Sequence, residues 1–109
     1  MTIIELESDA ALDVDHVGPV IRAGRLAECV IDAVAADNPD RDVVVVDRDD
    51  YVRIHTRGRC RLTRESLERA LGEAFQLEAL EIEMPSFKGR LRTRTDEFLW
   101  YLTTSDGEA

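Results

Sequence analysis

Four consecutive valines at positions 43–46 constrain the fold of this chain more than any other feature of its sequence. A continuous β-branched run of this length is typical of a strand that is buried on both faces. An acidic turn of four residues follows at 47–50, and the pattern of residues 51–56 predicts a second strand at hairpin distance. A sheet is therefore expected at the centre of the fold.

A strand, a turn and a helix precede this hairpin. Residues 17–21 predict a short buried strand, in which Gly18 and Pro19 weaken the ladder and so indicate an edge or a bulge. Gly24 permits a sharp turn, and apolar residues at helical spacing predict a helix over 25–36. Two interpretations stay open. The segment is either a simple connection within the fold or a strand whose backbone another protein approaches closely.

The second half of the chain predicts further strands and one short helix. If the strand that begins at residue 51 continues through Gly58 with a bulge, one face is core and the other is a row of cations. Thr63 caps a short helix that stops at Gly72. Alternation over 80–84 predicts a half-buried strand, which residues 85–89 interrupt, and 98–103 predict a closing strand. These elements together predict one compact α+β domain with mostly antiparallel strands.

The net charge of −9 argues against nucleic-acid binding, which needs a basic footprint. Residues 1–15 hold five carboxylates and no basic side chain, so we expect an acidic, mobile N-terminal tail before a folded domain at 16–103, with a frayed C-terminus at 104–109. Positive charge concentrates in 53–69 and 88–94. Such clusters indicate a protein partner more often than DNA, and internal salt bridging more often than either.

Recognisable catalytic and ligand-binding motifs are missing. His16 and His55 lie outside any metal-ligand spacing, and no glycine-rich nucleotide loop or nucleophile motif occurs. Cys29 and Cys60 form no paired motif and predict small buried thiols. No apolar run approaches the ~20 residues of a membrane span. We therefore expect a cytoplasmic protein without an active site, metal or cofactor of its own.

Several short segments occur in an order that is a specific signal for a protein family, although each segment alone is a weak signal. They are residues 17–24, 37–39, 46–48, 51–54, 62–64, 67–68, 71–72, 80–82 and 86–89, with Phe75. In this order the chain, over roughly 16–102, resembles the small effector or coupling proteins of soluble di-iron monooxygenases. The resemblance is strongest to the effectors of toluene and alkene monooxygenases.

This resemblance implies a fold of two small sheets with two main helices, and a regulatory protein that is monomeric when free and carries no cofactor. It implies a partner, the hydroxylase component with its di-iron centre. The effector would dock near the hydroxylase active site and shift its conformation, so that electron use is coupled to hydrocarbon oxidation. Neither nucleic acid nor membrane is an expected partner.

The same resemblance points to the segment 83–89 as the surface that faces the hydroxylase. Phe87 is then either an interface anchor or a buried plug under a loop. For the arginines at 53, 57, 90 and 92, cross-strand pairing with the glutamates at 81 and 83 is favoured over partner contact. The residues predicted to bind the partner are Gly18, Pro19, Arg22, Glu83, Pro85, Ser86, Phe87 and Lys88.

Two other classes of function stay open from the residues alone. One is a small ligand-binding regulatory domain, against which the missing glycine-rich turn with convergent polar groups counts. The other is a structural minor subunit of another enzyme.

Overall fold

Two sheets and two helices share one core. The structure is a computed structural model and describes residues 2–102. The fold class predicted from the sequence, α+β with mostly antiparallel strands, is confirmed. The strands are β1 Ile3–Leu6, β2 His16–Arg22, β3 Val43–Asp47, β4 Tyr51–Arg57, β5 Arg59–Thr63, β6 Ser86–Lys88, β7 Arg90–Thr93 and β8 Glu97–Tyr101; the helices are α1 Arg25–Asp37 and α2 Arg64–Leu71, and 3-10 turns lie at Asp9–Ala11 and Leu77–Glu83.

The first sheet has the strand order β1-β3-β4-β2-β6, with β1 parallel to β3 and the other pairs antiparallel. The valine strand β3 lies inside it and is buried on both faces, as predicted. Val43 and Val45 belong to the core shared with the helices, whereas Val44 and Val46 are buried on the opposite face. The sheet therefore has a core face and a second face, which the N-terminal segment approaches.

The second sheet has the order β5-β8-β7 and is joined to the first by two glycine corners. Gly58 connects β4 to β5 with φ of +79°, and Gly89 connects β6 to β7 with φ of +98°. Such backbone conformations favour glycine. The predicted continuous strand through Gly58 is therefore wrong, because the chain turns there into another sheet. The predicted row of cations is also interrupted, since His55 is completely buried.

The helix boundaries follow their sequence signals. Thr63 caps α2 by accepting a hydrogen bond from the Ser66 backbone N–H at 3.2 Å, and Gly72 ends the helix in the left-handed region. Asp37, at the end of α1, accepts hydrogen bonds from the Thr63 backbone N–H at 2.7 Å and from the Ser66 hydroxyl at 2.6 Å. One carboxylate thus joins the end of α1 to the start of α2. Cys29 and Cys60 are buried free thiols, as predicted.

Three local predictions are wrong. Residues 80–84 form no strand, because Leu77 and Leu80 are buried at the three-residue spacing of a 3-10 helix. Ile82 is consequently 76% exposed. The segment 85–89 does not merely interrupt a strand, since Ser86–Lys88 is itself β6. Because β6 pairs with β2, β2 is not an edge strand. The register of β2 with β4 is the same on both sides of Gly18, so β2 is not bulged there.

The N-terminal segment has regular structure. Ile3–Leu6 pairs in parallel with β3, and a 3-10 turn follows at Asp9–Ala11. The mobility expected for residues 1–15 in solution stays a prediction. The predicted fraying of 104–109 and the last residue of the predicted 16–103 domain lie outside the described residues. None of the helices in the described part of the chain is long and apolar enough to cross a membrane.

Candidate partner-binding surface

The pairing of β2 with β6 brings together most of the residues that the sequence predicted to bind a partner. Gly18 lies opposite Lys88, Pro19 opposite Phe87, and Val20 opposite Ser86. These two segments are about seventy residues apart in the chain. The predicted site is therefore one edge of the first sheet. We call this edge, formed by β6 and the preceding Pro85, the β6 edge.

Gly18 and Pro19 lie in the interior and not on the surface of this edge. The backbone of Gly18 has φ of +149°, and a Cβ there would overlap the Ile54 carbonyl oxygen and lie 3.0 Å from the His55 Cα. The glycine therefore lets β2 and β4 approach each other closely. The close approach that the sequence indicated is made by the protein's own strand.

Phe87 is exposed on the β6 edge. Its side chain is 43% exposed, so the interpretation of Phe87 as a buried plug is wrong. Pro85 and Ser86 are exposed beside it, whereas Glu83 and Lys88 are half-buried. A large aromatic that is only partly covered by its own domain is available as an anchor for a partner.

A shallow groove extends the β6 edge towards the hairpin turn between β3 and β4. It has a volume of about 420 Å³. The groove places Arg22 beside Pro85 and Ser86, which joins the remaining predicted residue to the same surface. It also adds Tyr51, which is 40% exposed and which the sequence analysis missed. Tyr51 alternates with core residues along β4, and this alternation is the sequence signal for its exposure.

The second face of the first sheet carries an ion-pair network to the N-terminal segment. Arg57 contacts Asp13 at 2.6 Å and Asp15 at 2.7 Å, and Arg53 contacts Asp9 at 3.2 Å. Hydrogen bonding from Arg57 lowers the pKa of Asp15. The predicted pairing of these arginines with the glutamates at 81 and 83 is wrong, because the acidic N-terminal segment supplies the partners.

Lys88 connects the β6 edge to this network. Its ammonium group donates to the Asp13 carbonyl oxygen at 2.9 Å. Lys88 is therefore half-buried and held by the N-terminal segment, although the sequence predicted a partner contact for it.

One group of side chains in the described residues has the spacing of metal ligands. Ligand atoms of Asp13, Asp15 and His16 lie within 4.8 Å of one another. Both carboxylates already pair with Arg57, and the His16 Nδ1 accepts a hydrogen bond from the Asp13 backbone N–H at 2.9 Å. The guanidinium supplies the positive charge that a cation would bring, so this group fits an ion-pair network.

The buried reactive side chains are held neutral. Burial lowers the pKa of His55 to about 3 and raises the pKa of the Cys60 thiol to about 12. Neither ring nitrogen of His55 has a hydrogen-bond partner among the described residues. A neutral, enclosed imidazole and a protonated, enclosed thiol do not provide an accessible base or nucleophile.

Comparison with known proteins identifies relatives for most of the chain. The MmoB/DmpM family matches residues 15–101. The effector subunit of the alkene monooxygenase system of Xanthobacter autotrophicus (strain ATCC BAA-1158 / Py2) is 60% identical over 90 residues, which are 83% of this chain and 89% of that protein.

Solved structures share the fold at lower identity. A phenol hydroxylase–regulatory protein complex contains a chain that matches with a TM-score of 0.68 and 24% identity, over 81% of this chain and 99% of that chain. The soluble methane monooxygenase regulatory protein B matches with a TM-score of 0.61 and 21% identity, over 93% of this chain and 76% of that chain. These similarities show that the fold of this chain also occurs in proteins that are less than 25% identical to it.

Proposed function

This chain belongs to the MmoB/DmpM family, and from that membership we propose that it is the non-catalytic effector component of a multicomponent di-iron monooxygenase. The observation that carries the proposal is the 60% identity to an alkene monooxygenase effector subunit over 83% of this chain. The partner is then the hydroxylase component of the same system, and the oxidised substrate is an alkene or another hydrocarbon. The two free thiols support a cytoplasmic location.

The proposed mechanism is a shift in the hydroxylase conformation. An effector without catalytic groups changes turnover only if it binds one conformation of the hydroxylase more tightly than another. A tenfold preference corresponds to about 1.4 kcal/mol of coupling free energy. Docking near the hydroxylase active site would then favour the conformation in which electrons are spent on substrate oxidation.

We place the contact at the β6 edge and the adjoining groove. Phe87 supplies a partly exposed aromatic anchor there, and Pro85 and Ser86 are exposed beside it. Arg22 and Tyr51 line the groove. An aromatic centre with a polar rim is the usual anatomy of a protein interface. Gly18 and Pro19 act from the interior by holding β6 in place.

Truncation of Phe87 tests this placement. Phe87→Ala should weaken binding to the hydroxylase by roughly thirtyfold, since an aromatic anchor is typically worth ~2 kcal/mol or more. Its effect on folding should be smaller than that of a core aromatic, because 43% of the side chain is already exposed. The measurements are the thermal midpoint and the concentration that half-maximally stimulates the reconstituted monooxygenase.

Val14→Ala is the matched control, because Val14 is an apolar side chain that is 89% exposed outside the β6 edge. It should change neither the midpoint nor the stimulation. Equal stimulation by wild type and Phe87→Ala would remove Phe87 from the contact. A hydroxylase that wild-type protein does not stimulate would refute the effector function itself.

A further inference from the structure

The outer face of the second sheet presents rows of arginine around an apolar centre. In one row Arg59 lies opposite Tyr101, which lies opposite Arg90. In the next row Leu99 lies between two further arginines, at positions 61 and 92. Because residues directly opposite one another share a sheet face, all four arginines are on one side. We call this surface, formed by Arg59, Arg61, Arg90, Arg92, Leu99 and Tyr101, the arginine face.

The four arginines are exposed, and their charge is largely uncompensated. Within residues 2–102, only Arg61 forms an ion pair, with Glu97 at 2.7 Å. Leu99 is only 8% exposed although it lies on this outer face. Arginine stems commonly cover apolar neighbours while their guanidinium groups stay in water. The face is therefore apolar beneath and cationic above.

This arrangement stands out against the charge of the rest of the chain, which has 23 carboxylates and 14 lysines and arginines. The arginines of the first sheet's second face are paired with the N-terminal segment. On the arginine face, by contrast, three of the four arginines have no ion-pair partner among the described residues, and only Arg61 is paired. Tyrosine and arginine are also among the residue types that are enriched in protein interfaces.

We propose that the arginine face docks on an acidic patch of the hydroxylase, as a second contact beside the β6 edge. This inference rests on the proposed effector function. Gly89 joins β6 directly to β7, so the two surfaces are consecutive in the chain and lie on the outer strands of the two sheets. We therefore expect one hydroxylase to contact both surfaces.

Charge disfavours two other occupants. A nucleic acid extends beyond a small cationic face and would meet the acidic remainder of the chain. A second copy carries the same net charge of −9, so two copies repel each other overall. A discrete acidic patch on a different protein has neither difficulty.

The test is a binding titration of the cognate hydroxylase with wild-type protein and with the double variant Arg90→Glu/Arg92→Glu. Both residues lie on β7, an exposed outer strand, so the core is not altered. We expect binding to weaken by about tenfold or more, because each exposed attractive pair becomes a repulsive one. Raising the salt concentration should weaken the wild-type complex more than the variant complex.

The control is the double variant Arg25→Glu/Arg69→Glu. It changes the net charge by the same amount at exposed positions on α1 and α2. It should bind the hydroxylase like wild type. Equal weakening by both double variants would assign the effect to net charge and overturn the arginine face as a docking surface. Unchanged binding of the Arg90→Glu/Arg92→Glu variant would also overturn it.

Two further measurements separate the other occupants. Sedimentation of wild-type protein alone should show no self-association that is lost in the Arg90→Glu/Arg92→Glu variant, and wild-type protein should not bind a labelled DNA duplex. If wild type self-associates in this way or binds the duplex, and the variant binds the hydroxylase as tightly as wild type, the proposal is overturned. If wild type stimulates turnover while the β7 variant binds equally well, only this inference fails. If wild type neither binds nor stimulates, the proposed function fails too.

Discussion

Lowering the pH from 7 to 5 should destabilise this protein through one buried histidine, His55. Its side chain is fully buried beside Gly18, and neither ring nitrogen has a hydrogen-bond partner among the described residues. The pKa of His55 is lowered from 6.5 to about 3, mainly by burial and in smaller part by the positive charges of Arg53 on β4, Lys88 on β6 and His16 on β2. Asp9 in the N-terminal segment acts in the opposite direction.

The sign and size of the effect follow from proton linkage. Because the folded-state pKa lies below the unfolded value, the unfolded chain binds more protons between pH 3 and pH 6.5. The free energy of unfolding therefore falls as the pH is lowered through this window. Between pH 7 and pH 5 the loss from His55 is about 2 kcal/mol, or roughly 10 °C in the thermal midpoint. Asp15, whose pKa is lowered mainly by its hydrogen bond from Arg57, adds its loss only at more acidic pH.

Urea unfolding at several pH values, followed by the fluorescence of the single tryptophan, Trp100, measures this loss. His55→Leu replaces the imidazole with an apolar side chain of similar volume and should remove most of the loss between pH 7 and pH 5. At pH 7 the variant should be about as stable as wild type, since it buries no unpaired nitrogen.

The comparison variant is His16→Gln, because burial also lowers the pKa of His16. It should keep the part of the pH dependence that belongs to His55. Identical pH profiles for wild type and His55→Leu would refute the assignment. The assignment would also be refuted if His16→Gln removed the pH dependence of stability and His55→Leu did not.

Three further changes test the packing. Gly18→Ala should cost several kcal/mol of stability or prevent folding, because its Cβ would overlap a β4 carbonyl oxygen; a thermal midpoint near that of wild type would contradict this close approach. Asp37→Ala should cost ~2–3 kcal/mol, since the Thr63 backbone N–H and the Ser66 hydroxyl lose their acceptor; urea unfolding measures it, and a loss below ~0.5 kcal/mol would show that water replaces the carboxylate. Deletion of residues 1–12 should lower the thermal midpoint because β1 covers the edge of β3; an unchanged midpoint would support the mobile tail expected from the sequence.

The sequence predicted those elements whose local signals agree with their burial. The valine run at 43–46 is a strand buried on both faces, and the apolar stripe after Gly24 is α1. Thr63 and Gly72 bound α2 because a capping hydroxyl and a left-handed glycine act through their immediate neighbours. Local chemistry was sufficient at these positions.

The sequence did not predict features that depend on which segment covers which surface. Gly58 at positive φ fits a bulge and a corner equally well, and only the second sheet decides between them. Ile82 alternates like a strand residue, yet burial of Leu77 and Leu80 winds the segment into a 3-10 helix. The acidic residues at 9, 13 and 15 lack basic neighbours in sequence, and their partners come from β4.

The candidate site was predicted in part. The resemblance predicted Phe87 and its neighbours as the contact surface, and the exposed Phe87 side chain follows from the edge position of β6. The sequence predicted a buried strand at 17–21, but it did not predict that β6 pairs with this strand from about seventy residues away. Tyr51 joins the groove for the same reason, since its neighbour Pro85 comes from a distant part of the chain.

The most direct test of the effector function is the amount of oxidised product formed per electron pair consumed. The cognate hydroxylase and its electron donors are assayed at constant concentration while this protein is added up to saturation. The effector function predicts that the yield of product per electron pair rises and then reaches a plateau, while the protein alone forms no product. A yield that stays constant at every concentration, with an active hydroxylase and intact electron transfer, would contradict it.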